Sequence, residues 1–522
     1  MKNMLFFIRA SFTILSVVYL TACSGLKEEQ ALVPTVEKTS EQVVPELAYP
    51  GETGEEKEGT LFGRNIKYAE INGEAVFEGD IILSKKQLNA AAGARTEGTG
   101  VSLNAQKWAK GIVYYTIEKT VTNTSAIYAA MAIIEASTPI TFVYRSNQYN
   151  YVTFKYGRGF SSSVGVTGGQ QFITLGLGFS KGGALHEICH TLGLFHEHTR
   201  DDRDQTITVN FQNIAPTLQV NFLTHKQSGS AGFGFDKMDL KSVMMMNSDY
   251  CSSNGLPSMT TKDGQPFSVQ RTELSPNDIR CLTAMYSNIY SVSDDGLYAS
   301  DTRKGKRALL SQGWFYTRAV TADPYFVYAC KGGSLVRIRP DNGDTKVIAT
   351  GFYYVQSMVL LKGFLYVIDN GVIKKVSTDT GVTTTVGTQL WLPATDIAYM
   401  DGFFYVMTKN AIFRLTPDTE NFVQIAAVAD ARELVAMGGR LYYVKTTPGK
   451  TSGIYKLDPA VGFALLFSPL FTPTAQMVSS EGSLYIADMG NLYKIEANGN
   501  SVNISPGWSF TAQLAALNYY NY

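Results

Sequence analysis

Apolar and polar positions follow three regimes along the chain. Ser11 to Leu20 form a mainly apolar run, preceded by Lys2 and Arg9 and followed by Thr21-Ala22-Cys23. The run is shorter than the ~20 residues that span a bilayer, and its charged start and small-residue end predict an export signal over residues 1–22. From Cys23 to about Thr60 the pattern turns polar, with Lys27-Glu28-Glu29, further Glu residues and Pro34, Pro45 and Pro50. Little there can be buried, so a flexible acidic tether is expected over residues 23–60. The third regime begins near Ile289, where short apolar segments return at a regular interval: Gly296-Leu297-Tyr298, Phe326-Val327-Tyr328, Phe364-Leu365-Tyr366, Phe403-Phe404-Tyr405, Arg440-Leu441-Tyr442 and Ser483-Leu484-Tyr485. Their Tyr residues lie thirty to forty-three positions apart. Further strand-like pieces follow, such as Val372 to Val376 and Ile412 to Leu415. Units of this length built from short strands bury their faces only against neighbours, which predicts the blades of an all-β propeller, six in number, over residues 288–522. The final stretch, Phe510 to Tyr522, resembles the inner strand of the other units and is expected to close the ring.

A chain of 522 residues exceeds one hydrophobic core and accommodates two or three domains. A hydrophobic content of 45%, a charged content of 17% and no net charge describe a globular protein. They provide no basic field for nucleic acid. Thirty Tyr and 28 Phe favour strands over long helices. Besides Cys23, Cys189, Cys251, Cys281 and Cys330 remain; Cys251 with Cys281 is a pairing inside one domain, and free buried thiols are the alternative.

The chemistry is concentrated in one segment. Four of the five His residues, His186, His190, His196 and His198, fall between positions 186 and 198. On a helix His186 and His190 share a face and can bind one Zn²⁺, with Glu187 beside it. Gly193 can take positive φ, end the helix and turn the chain so that His196 supplies a third ligand. Three protein ligands leave a position for water, the arrangement of a catalytic zinc site. Cys189 points about 100° away from His190 and is expected to pack; His198 and His225 read as surface or structural residues.

The run His186 to Glu197, continued by Arg200-Asp201-Asp202-Arg203-Asp204, resembles the astacin family of metzincin zinc endopeptidases. The likeness extends through Ile140 to Val143, Tyr151-Val152, Ile207 to Phe211, Gln270-Arg271 and Asp278-Ile279, from about Trp108 to Tyr286. It implies an α+β metzincin catalytic domain over residues 96–287, with Glu187 as general base and Met244, in Ser242-Val243-Met244, as an apolar floor beneath the imidazoles. Astacins usually carry a Tyr two residues after that Met, where it assists the transition state. Here Met246 stands in its place, and Tyr250 lies out of register. Phe77-Glu78-Gly79-Asp80 resembles the family's propeptide switch, implying that Asp80 caps the zinc and that residues 61–95 form an inhibitory prosegment. The Gly- and Ala-rich stretch around Arg95 reads as a cleavage loop. Glu197, by the same resemblance, receives the new N-terminus. The Cys23 region resembles a bacterial lipoprotein signal, implying a lipid anchor.

The expected function is therefore that of an exported, membrane-anchored zinc endopeptidase, latent until cut, with protein or peptide substrates, an activating protease and no nucleic-acid partner. The alternative is a zinc-binding but catalytically weak protein whose propeller recognises a partner.

Overall fold

The computed structural model describes residues 46–61, 64–88, 106–229, 237–293, 295–323, 325–340, 343–417, 419, 421–446, 452–508 and 513–517. The export signal, Cys23 and Arg95 lie outside them.

The N-terminal segment contributes strands β1 (Glu55–Leu61), β2 (Arg64–Ile71), β3 (Glu74–Phe77) and β4 (Ile81–Leu83), followed by the short helix α1 (Lys85–Leu88). The next domain supplies β5 (Ile112–Ile117), α2 (Thr124–Ser137), β6 (Thr141–Tyr144), β7 (Tyr151–Gly157), β8 (Ser161–Ser162), β9 (Gln170–Gly176) and α3 (Lys181–Thr191). Beyond α3 come β10 (Ile207–Val209), α4 (His225–Ser228), β11 (Met259–Thr261) and α5 (Pro276–Met285). The first nine strands form one sheet in the order β1-β2-β3-β4-β8-β9-β7-β5-β6. The N-terminal segment thus extends the sheet at the β8 edge, joined by the parallel pair Ile81 and Ser162.

Helix α2 buries Ile127, Ala130, Met131 and Ile134, the three- and four-residue spacing of one helical face. That stripe joins Ala184, Leu185 and Ile188 of α3 and the inward residues of the sheet in one core. Ser180 caps α3 by accepting from the Gly183 amide. Two glycines early in α3 run against helix propensity, and close approach explains them. A Cβ on Gly182 would sit 2.3 Å from Arg271, and one on Gly183 would sit 2.8 Å from the Phe160 ring.

Residues 46–60 fall within the stretch expected to be a flexible tether, and here the structure differs. Lys57 Nζ lies 2.8 Å from Glu70, Lys67 Nζ lies 2.8 Å from Glu56, and Glu46 is buried against Arg271. The charges that read as mutual repulsion are met by partners from other parts of the fold. Composition along a window counts charges but not their partners.

Among the described residues the C-terminal strands form six four-stranded sheets, the six blades expected from the repeat. In five blades the repeated Tyr lies on the second strand from the centre, whereas in the first blade Tyr298 lies on the third and Tyr290 occupies the second. Gln513–Ala516 pairs antiparallel with Ile289–Val292, so the C-terminal stretch becomes the innermost strand of the first blade. Neighbouring blades share hydrophobic clusters, for example Tyr366 and Ile368 with Phe404 and Val406.

The first blade is welded to the preceding domain. Ala284 of α5 belongs to the cluster between blades one and two. A basic loop of the first blade also reaches the C-terminal end of α2. Lys304 Nζ donates to the carbonyls of Glu135 at 2.9 Å, Thr138 at 3.2 Å and Ile140. Lys306 Nζ donates to Ala136 O at 2.9 Å, and Arg303 to Pro139 O. Lys304 and Lys306 thus meet carbonyls the helix leaves unsatisfied, at the negative end of its dipole, and Arg303 holds the segment that follows.

The expected Cys251–Cys281 disulfide is absent: Cys189, Cys251, Cys281 and Cys330 are all reduced thiols. Cys251 belongs to the cluster around Tyr250 and Met259, whereas Cys281, on α5, packs against the main core and the first blades. No described helix is long and apolar enough to cross a membrane.

Candidate metal centre

Helix α3 carries His186 and His190 on one face, and Gly193 at φ 105° ends it as its sequence position requires. The turn is tied by Gly193 N to His190 O at 2.8 Å and Leu194 N to Cys189 O at 3.0 Å. Trp108 Nε1 and Tyr286 Oη donate to the helix-end carbonyls of Thr191 and Leu192, each at 3.0 Å. The chain then brings His196 back over the helix.

The three imidazoles converge through Nε2. His186 Nε2 lies 3.2 Å from both His190 Nε2 and His196 Nε2. Asp80 completes the group: Oδ2 is 3.2 Å from His196 Nε2 and 3.4 Å from His186 Nε2, and Oδ1 is 3.4 Å from His190 Nε2. All four residues are buried. A tetrahedron with zinc bonds of about 2.0–2.1 Å has edges of about 3.3–3.4 Å, so the donor set fits this ion in size as well as in type. Each opposite ring nitrogen has an acceptor. His186 Nδ1 donates to Val243 O at 2.9 Å, His190 Nδ1 to Leu194 O at 2.7 Å, and His196 Nδ1 to Glu78 Oε2 at 3.0 Å. These bonds fix the tautomer that turns every Nε2 lone pair inward. Burial acts against charge on Asp80, yet the surrounding imidazoles hold its carboxyl well below the usual range.

Glu187 is fully buried, and neither of its carboxylate oxygens has a hydrogen-bond partner. Burial, then the Asp80 carboxylate, push its carboxyl well above the usual value. Met244 is buried in the core of α3, and its carbonyl accepts from Glu197 N at 3.0 Å. The turn around it is held by Asp278 of α5, which accepts from Ser242 Oγ at 2.6 Å and Val243 N at 2.9 Å. Glu197 accepts from Asp239 N at 2.7 Å and lies 3.5 Å from Arg200 Nε. It borders a cavity of about 40 Å³ lined by Gly193, His225, Ser242 and Asn277. Burial pushes its carboxyl up to about 8. His198 and His225 are not surface residues. Both are buried, His198 Nε2 donates to Asn221 O at 3.1 Å, and His225 lies 3.9 Å from Glu78.

Three residues were not singled out from the sequence for what they do here. Glu78, at φ 54°, fastens both the ring and the backbone amide of His196. Arg271 makes a two-pronged ion pair with Glu46, with Nε 2.8 Å from Oε1, and also donates to Met245 O at 2.8 Å. Tyr250 donates through its hydroxyl to Glu78 O at 2.9 Å. Glu78 occupies the variable position of a recognised motif, but Glu46 and Arg271 are 225 positions apart and share no local signal.

Residues 100–287 match the family model for astacin, a family of peptidases. This chain carries an astacin domain. Zinc metalloproteinase nas-14 of Caenorhabditis elegans is 35% identical over 34% of this chain and 37% of its own. Flavastacin of Elizabethkingia meningoseptica is 32% identical over 42% of this chain and 51% of its own. The chain therefore spans between a third and about half of these relatives' lengths. A solved structure of high choriolytic enzyme 1, a hatching enzyme zinc-protease from Oryzias latipes, is 29% identical over 34% of this chain and 92% of that one, with a TM-score of 0.32. Zinc is the metal of the family, and the astacin domain's His186, His190 and His196 are the residues that would hold it.

Proposed function

We propose that this protein is an exported zinc-dependent endopeptidase, anchored through a lipid on Cys23 and held latent by its N-terminal segment. Its main support is the convergence of three tautomer-fixed imidazoles beside a buried, unpartnered carboxylate at Glu187, with Asp80 of the N-terminal segment filling the fourth corner.

Bound zinc supplies Lewis acidity to the attacking water and the scissile carbonyl. Glu187 accepts the proton of that water and delivers it to the leaving amine, for which its free oxygens are suited. In the uncut chain Asp80 fills the fourth corner beside Glu187, so the segment keeps water and substrate from the base. Cutting near Arg95 would free that corner. The new ammonium would then find a receptor in Glu197 and its cavity.

Cleavage of casein tests this with the full chain, the full chain cut by limited proteolysis between residues 88 and 106, and cut Glu187→Ala, each with zinc quantified. Activity in the cut wild type, silence in the uncut chain and an about 10²- to 10⁴-fold loss in Glu187→Ala at equal zinc are expected. Stoichiometric zinc without cleavage in any form would instead favour a binding protein whose propeller is the recognition module.

A further inference from the structure

The N-terminal segment reaches the metal centre through the tip of the β3–β4 hairpin, residues 78–80, which the astacin domain holds from two sides. On one side Ser162 N donates to Asp80 O at 3.1 Å and Phe160 N donates to Leu47 O at 2.8 Å, both from the β8 edge. On the other side Tyr250 Oη donates to Glu78 O at 2.9 Å, two residues before the carboxylate that faces the imidazoles. The fit is close: a Cβ on Gly79, at φ +98°, would fall 2.1 Å from the Tyr250 hydroxyl.

The phenol is positioned by the domain's own residues. Its ring contacts His198 at 5.6 Å and Phe222 at 5.5 Å between centroids, and its backbone carbonyl accepts from Ser258 Oγ at 2.6 Å. Removing the N-terminal segment therefore takes the Glu78 carbonyl from the hydroxyl and leaves it the neighbouring Cys251 thiol as partner. A thiol is a weak acceptor, and a peptide bound across the imidazoles brings backbone carbonyls into the space that the hairpin tip vacates. Met246 offers no such donor; its sulfur lies 3.8 Å from Arg271 Nη2.

Building on the endopeptidase reading, we infer that Tyr250 is a substrate-positioning residue whose hydroxyl, once the N-terminal segment is gone, donates to a backbone carbonyl of the bound peptide beside the scissile bond. The same bond serves the latch before cutting and the substrate after it.

The test is steady-state cleavage of a peptide by the zinc-loaded, proteolytically cut full chain, comparing wild type with Tyr250→Phe. Loss of one hydrogen bond made equally in ground and transition states raises KM about 5- to 20-fold and leaves kcat within about twofold, at unchanged zinc content and melting temperature. A scan of thioamide-substituted peptides should find one carbonyl whose replacement raises KM in wild type but not in Tyr250→Phe. An unchanged KM, a fall confined to kcat, or a scan with no such position would overturn the assignment. Failure of the wild type itself to cleave would count against the endopeptidase reading, a separate result.

Discussion

Glu197 is a partly buried carboxyl with Arg200 near and one amide bond to it, and desolvation dominates, holding it up to about 8 in the uncut chain. A carboxyl whose folded value is raised contributes stability that is complete below its unfolded value near 4.3 and is lost as pH climbs towards the folded value. Glu197→Gln keeps an acceptor for Asp239 N and removes the titration. The uncut variant should therefore match wild type at pH 4 and gain on it up to pH 8, by as much as about 5 kcal/mol. Melting curves across that range check this, and parallel curves would show that Glu197 stays ionised. Arg271 yields a second expectation. Its guanidinium pairs with Glu46 while lying within electrostatic reach of Glu187 and Asp80. After the segment leaves, it is a buried cation short of a carboxylate, so we expect a preference for peptides with Asp or Glu next to the scissile bond. Profiling a peptide library with Arg271→Ser should show that preference fall about 10- to 100-fold while neutral peptides change little.

At the scale of elements, the zinc helix was legible because its information is local. His186, Glu187, His190 and Gly193 lie within two turns and a stop, and each residue type has one geometric consequence. The repeat was legible because the same strand pattern returns six times, whatever each blade contacts. What local pattern did not reveal depends on pairing at a distance. The strand Glu55–Leu61 looks like a charged tether until β2 places Glu70 and Lys67 against it. His198 and His225 look exposable until Asn221 and Glu78 fold over them. A buried aromatic before the inner strands, Trp314, Phe352, Trp391, Phe471 and Trp508, is as regular as the Tyr repeat, yet varied residue identity masks it.

For the whole molecule, the propeller is less separate than the change in composition suggests. Lys304 and Lys306 satisfy the end of α2, Arg303 ties the segment after it, and α2 packs against the zinc helix in the same core. Their removal leaves carbonyls uncapped at a domain junction. Lys304→Ala with Lys306→Ala should lower the melting temperature of the astacin domain and split one calorimetric transition into two. A single unshifted transition would show that the basic loop is incidental. The junction lies at the end of the sheet remote from β4, so the N-terminal segment can leave without disturbing it.

Closure of the ring by Gln513–Ala516 against Ile289–Val292 also bears on how the protein is made. That pairing joins residues more than two hundred positions apart, and the strand that completes the first blade is synthesised after all the other described strands of the ring. Until then the first blade's inner edge stays open and the ring lacks its seal. A chain truncated by a premature stop would thus carry a complete zinc centre on an unfinished propeller, an exposed target for quality-control proteolysis.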